Sequence, residues 1–132
     1  MWCDNLANTI FLRKLYKEVP ALEDVRIASV VAGDEGNRIS VVFDMPKYAD
    51  HPPEKWEGCN TAIVETDFCG ITKFHINTTS NTYRGDIRIE KNAEGLLEVS
   101  VKGNLELDIT AEFGMIQNVR AYLMREENLR EV

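Results

Sequence analysis

Period-two alternation is the pattern that most constrains this chain. From Val25 to Leu123, apolar residues recur at every second position in one short segment after another, with turn-forming residues between. Successive side chains of a strand point to opposite faces, so segments of this kind bury one face and leave the other to solvent. Val25, Ile27 and Val31 alternate with Asp24, Arg26 and Ala28, and Ile39, Val41 and Phe43 alternate with Arg38, Ser40 and Asp44. The polar turn between them predicts a hairpin. Keeping both apolar sets on one face predicts Val31 opposite Ile39 and Ile27 opposite Phe43. Ala62, Val64 and Phe68 give a third inner face, Phe74 and Ile76 a fourth, Ile87 and Ile89 a fifth. Leu97, Val99 and Val101 follow, then Leu105, Leu107 and Ile109, and a bent last strand from Phe113 to Met124 carries Ile116, Val119, Ala121 and Leu123.

Two junctions need a local argument. The alternation is reset near Cys69-Gly70, where glycine's access to unusual dihedrals fits a bulge or sharp bend and a tight hairpin equally well. Between Val101 and Leu105, matching the apolar sets predicts a three-residue connection, Lys102-Gly103-Asn104, with the glycine left-handed. That register puts Glu98 opposite Asp108 and Ser100 opposite Glu106.

Before the strands, Ala7, Phe11, Leu12, Leu15, Tyr16 and Val19 recur at spacings of three and four, which predicts an amphipathic helix over Leu6–Val19. Asp4 or Asn5 is placed to cap it and Pro20 to stop it. The expectation is a strand-dominated α+β fold: an N-terminal helix packed on a mostly antiparallel sheet of about eight strands, in a single domain spanning 1–132. The charged segment Arg125–Val132 reads as a frayed end or a short helix.

One passage breaks the regularity. Pro52 and Pro53 have no N–H to give a sheet ladder, so the chain must leave its sheet between Tyr48 and Asn60. Trp56 arrives inside this polar loop. Either its ring folds over the core, burying its body, or it stands in solvent as the anchor of a binding surface.

Charge narrows the partners. Fifteen basic against twenty-two acidic residues leave a net charge of −7, which disfavours nucleic acid and anionic membrane and favours a basic partner. Cys3, Cys59 and Cys69 make no C-x-x-C pair and are odd in number, which predicts reduced thiols in a cytoplasmic protein. The first residues lack the basic and apolar regions of a signal peptide, and no apolar run reaches transmembrane length.

The chemistry-bearing residues are few. His51 and His75 are the histidines of the chain, with neither a metal-ligand spacing nor a nucleophile signature. Glycine-rich phosphate loops and dinucleotide fingerprints are absent from the sequence. No metal, cofactor or catalytic residue is expected. The feature that stands out is a polar strand face carrying Glu98, Glu106, Asp108 and Glu112, where like charges across a ladder are unfavourable unless compensated. Arg88 or Lys73 from a neighbouring strand can screen them; alternatively the patch is held for a basic protein partner.

The N-terminal helix, the hairpin pair, Pro52-Pro53-x-x-Trp56 followed by Asn60, the segment Ile63-Val-Glu-Thr-Asp-Phe-Cys-Gly-Ile71 and a closing strand with Ile116, Val119 and Tyr122 together resemble the immunity protein 50 family of bacterial polymorphic toxin systems. The likeness runs from Leu12 to Leu123. It implies a cytoplasmic, non-enzymatic protein that binds and neutralises a cognate toxin, and it brings no catalytic residues with it. The rival from another class is a small ligand-binding domain or enzyme whose Trp56 loop closes a cavity, with His51, Glu54 or His75 at its mouth.

Overall fold

The computed structural model describes residues 1–125. Six strands form the scaffold: β1 (Val25–Gly33), β2 (Arg38–Asp44), β3 (Thr61–Thr78), β4 (Arg84–Lys91), β5 (Leu97–Gly103) and β6 (Leu105–Tyr122). All pair antiparallel and close into a barrel in the order β1-β2-β3-β6-β5-β4. The expected count of about eight falls to six because two long strands each take the place of two short ones. β3 runs through Cys69-Gly70 without a hairpin turn. Gly70 has φ of +69°, and an extra residue enters the ladder between Ile71 and Lys73, so the strand bends there and turns from one wall of the barrel into the next. β6 accompanies it along its whole length as the other half of that corner, with a second irregularity where Glu65 pairs with Asn118 and Thr66 with Ile116.

The alternation predicts most of the interior, though Val31, Phe74, Ile76 and Leu123, also assigned to inner faces, are exposed. Ile39, Val41 and Phe43, then Val64 and Phe68, Ile87 and Ile89, Leu97, Val99 and Val101, and Leu105, Leu107 and Ile109 are all buried. The β1–β2 hairpin keeps Ile27 opposite Phe43, but an extra residue between Ile27 and Ser29 shifts the rest, so Ala32 and not Val31 faces Ile39. Val31 therefore points outward and is 55% exposed.

At the β5–β6 connection the register differs by two residues from expectation: Val101 lies opposite Leu107, not Leu105. The strands part early because each has another neighbour. Lys102 and Gly103 stay in the ladder with Asp86 and Gly85, while Leu105 and Glu106 pair with Thr78 and Asn77. Asn104 fastens the corner, its amide N–H on the Arg84 carbonyl (3.0 Å) and its side-chain oxygen accepting from the Arg84 N–H (2.7 Å). Gly103 is not left-handed. It is needed for close approach, since a Cβ there would stand 2.1 Å from the Arg84 carbonyl oxygen.

The N-terminal helix is shorter than the apolar spacing predicts. α1 spans Ile10–Leu15, is capped at Thr9 without a side-chain bond, and follows a separate 3-10 turn over Trp2–Asn5. Its continuation is intercepted by the β2–β3 loop. The Leu15 carbonyl accepts the His51 N–H (3.0 Å) and the Lys17 N–H donates to the Asp50 carboxylate (2.9 Å), so groups that would have bonded along the helix bond across to the loop. Leu12, Leu15, Tyr16 and Val19 still reach the core; Phe11 stays 40% exposed. Asp4 caps nothing and instead pairs with Arg13 (3.0 Å). Trp2 enters the barrel end, edge-on to Phe43 with 5.8 Å between centroids, its indole N–H donating to the Pro20 carbonyl (3.0 Å). Past it, Ala7 forms a parallel bridge to Met115, and Gly114 leaves room for Leu6, Leu97 and Phe68 to meet.

Candidate partner-binding site

The polar face singled out in the sequence is the outer wall of β3, β6, β5 and β4. Its rows follow from the ladders. One row reads His75, Asp108, Ser100, Arg88; the next reads Lys73, Thr110, Glu98, Glu90. Glu98 is thus opposite Thr110 rather than Asp108, and Asp108 is opposite Ser100. Glu106 lies across from Asn77 on β3 rather than from Ser100. The like-charge contact that does occur is one the sequence reading did not find, Glu90 directly across from Glu98 on exposed strand positions.

The four expected carboxylates do not form one patch. Glu98 and Asp108 share a depression of about 290 Å³ with Glu90, Lys73, Arg88 and Lys102. Glu106 and Asp108 border a neighbouring one with Lys102. Glu112 belongs to the corner: its side chain lies over Gly70, within 3 Å of where a Cβ would stand. Lys73 and Arg88, the two cations expected to screen the acids, are both present with Lys102 beside them, so this wall is an interleaved charged surface and not a block of negative charge.

The Trp56 loop takes the first of its two sequence-level readings. β2 ends at Asp44 and β3 begins at Thr61, as the prolines require. Pro53 precedes a 3-10 turn over Glu54–Trp56, and Trp56 is 5% exposed, edge-on to Phe11 (5.9 Å between centroids) and tilted against Tyr48 (6.2 Å). Asn60 acts as an extra rung: its side-chain amide donates to the Met124 carbonyl (3.0 Å) and its oxygen accepts the Met124 N–H (2.7 Å). Pro52 stays exposed at the loop rim. The loop is tied down from below, where the Tyr16 hydroxyl donates to the Lys47 carbonyl (2.8 Å). The Lys17 amide, then Lys47, hold the Asp50 carboxyl below the usual carboxylate range.

His51 and Glu54 sit in this loop and His75 on the far half of β3. The clefts lined by Arg26 and Tyr83, by Trp2 and Ile89, by Lys73 and Glu98, by Asp24 and Met45, and by Val101 and Glu106 include none of the three. No group of three His, Cys, Asp or Glu among the described residues is placed to hold a metal ion.

A charge cluster built around one buried carboxylate has no counterpart in the sequence patterns. Asp44, at the end of β2, is 7% exposed; its Oδ2 accepts from the Tyr122 hydroxyl (2.7 Å) and from Arg26 (3.4 Å), while Oδ1 has no hydrogen-bond partner. Burial first, and the Asp44 carboxylate second, hold the Tyr122 phenol well above its usual range. Arg26 also faces Arg84 across the β1–β4 seam, each arginine being matched by an aspartate, Asp44 and Asp24. Nothing local marks this cluster, because its members are brought together by the barrel.

A family model described as immunity protein 50 matches residues 8–122. No curated protein matches the chain. Among solved structures, an uncharacterized protein from Neisseria gonorrhoeae is similar with 16% identity, 74% of this chain and 91% of that chain covered, and a TM-score of 0.48.

Proposed function

Because the chain belongs to the immunity protein 50 family, we propose that it is a non-enzymatic immunity protein that binds and neutralises a cognate bacterial toxin in the cytoplasm. The carrying observation is the extent of the family match, residues 8–122, which takes in α1, the Trp56 loop and the six strands described. The three free cysteines suit a reducing compartment.

The toxin's contact surface, on this reading, is the outer wall carrying Glu98, Glu106 and Asp108, with Glu112 at its corner. What supports the choice is the Glu90–Glu98 opposition: exposed like charges across a ladder are unfavourable in the free protein and are relieved when a basic group of a partner comes between them. The interleaved Lys73, Arg88 and Lys102 set the pattern such a partner must match, which makes the face selective rather than merely negative.

The test is to co-express the candidate toxin encoded beside this gene with wild type and with Glu98→Lys/Asp108→Lys, after confirming by circular dichroism that the variant folds. Loss of protection with a weakening of about 2–5 kcal/mol is expected if these charges are desolvated against the toxin. Equal protection and equal affinity would remove this wall from the interface. Failure of wild type to bind any neighbouring gene product would count against the immunity reading as a whole.

A further inference from the structure

Two strands of the barrel lose a ladder partner part-way along. β1 pairs with β4 only at Val25 and Arg26, and β3 pairs with β2 only as far as Cys69, the last bond being the Gly70 N–H to the Asn37 carbonyl (3.1 Å). The two edges differ. β1 is interrupted by its bulge beside Ile27, a device that blunts an edge. Beyond the bend, β3 pairs without a break from Lys73 to Thr78 with β6, so its other side presents a regular row of backbone N–H and C=O groups.

The side chains on that stretch are sorted. Phe74 and Ile76 lie opposite Ile109 and Leu107, on the face that is elsewhere the barrel interior, yet each is 40% exposed, and no strand among the described residues pairs with their far side. Lys73, His75 and Asn77 lie on the charged outer wall. A free, regular edge of high strand propensity with a half-covered apolar face calls for another extended segment.

We infer that this edge pairs with the same edge of a second copy, so that two barrels join through an antiparallel, two-fold pairing of their β3 strands. The sequence is self-complementary about its own middle, His75. With His75 opposite its own copy, Phe74 faces Ile76 of the other chain, and Lys73 faces Asn77. Apolar meets apolar on the inner face, an aromatic against a β-branched residue, and no like charges stand directly opposed among these side chains unless His75 is protonated. A shift of one residue in the pairing would set Phe74 against His75 and is excluded by alternation. A strand from a basic partner fits the edge less well, since its cations would meet Lys73 at the rim; a second copy meets only Asn77 there.

The test of pairing itself needs no toxin. Sedimentation of wild type should show a mass rising from that of one 15.0 kDa chain towards twice that value as concentration is raised. Phe74→Lys/Ile76→Lys and Phe74→Glu/Ile76→Glu should each remain single chains, because each opposes like charges, and an equimolar mixture of the two should recover the dimer mass. As a check that does not rely on those variants folding, His75→Cys in a Cys59→Ser/Cys69→Ser background should be joined to its own copy by a short bis-maleimide. Single chains at the highest soluble wild-type concentration, a dimer that both charged variants retain, no recovery on mixing two folded variants, or no cross-link at position 75 would each overturn the inference. A wild type that stays single while Phe74→Lys/Ile76→Lys loses toxin binding would give the edge to a toxin strand instead.

Discussion

At the scale of single residues, the most consequential is one that alternation alone treats as an ordinary outward-facing acid. Asp44 keeps its charge under cover by taking one hydrogen bond from Tyr122 and a longer one from Arg26. Hydrogen bonds to charged groups contribute more than neutral ones, so Tyr122→Phe should destabilise the protein by about 2 kcal/mol near neutral pH, read from the urea midpoint. The sign of the pH dependence follows from the direction of the phenol's shift. Its folded pKa is raised, so the protein keeps this proton where the unfolded chain, titrating at about 10, has released it. Stability is then fully present below that pH and falls as pH rises beyond it. Tyr16, raised by burial and then by Asp50, adds the same trend in both proteins. The difference between wild type and Tyr122→Phe should therefore narrow above pH about 10; a difference that stays constant into the alkaline range would mean that Asp44 does not hold the phenol. Trp56 shows what was legible at this scale. A large ring four residues before Asn60, after two prolines, could be read as folding back over the edge of the core, and it does. Asp44 could not be read, because its partner Tyr122 is 78 positions away.

At the scale of elements, inner faces were legible and registers were not. Every strand buries most of the apolar set that alternation assigns to it, because burial depends only on which side a residue points. Register depends on who else is paired. Val101 came to lie opposite Leu107 because Gly103 is held by β4 and Leu105 by β3, facts about neighbours that no window of sequence contains. The same holds for α1, shortened because Asp50 and His51 offer its backbone other partners. The β4–β5 contact gives a test. Gly103 was expected to be needed for its conformation, in which case Asn would serve nearly as well; the structure makes it a matter of space, with the Arg84 carbonyl in the way of any Cβ. Gly103→Ala and Gly103→Asn should both destabilise by about 3 kcal/mol, through forced separation of β4 from β5, and by similar amounts. An Asn variant near wild-type stability in thermal unfolding would restore the left-handed reading.

At the scale of the whole molecule, closure was the step beyond reach of the sequence. Period-two segments announce strands, but the seam that makes a barrel of them is two residue pairs, Val25 with Gly85 and Arg26 with Arg84, and one of those sets two arginines side by side. Net charge, by contrast, is a property of the whole chain that the sequence states outright, and its consequence is kinetic. A surplus of seven negative charges draws a basic partner from beyond contact distance, and added salt shortens that reach, the screening length being about 10 Å at 0.1 M and about 3 Å at 1 M. If the toxin is bound as proposed, its association rate with wild type should fall steeply as salt is raised, while dissociation changes less, since close contacts are screened less than distant ones. Replacing exposed acids that lie outside the strands of the charged wall, Glu18→Gln and Glu57→Gln, should lower the low-salt association rate and its salt slope together and leave dissociation unchanged. Stopped-flow mixing across a salt series separates these terms. An association rate that is flat or rises with salt would show that the toxin does not meet this protein through a basic surface, and would leave the family assignment standing with a different complementarity to be sought at the Trp56 loop or α1.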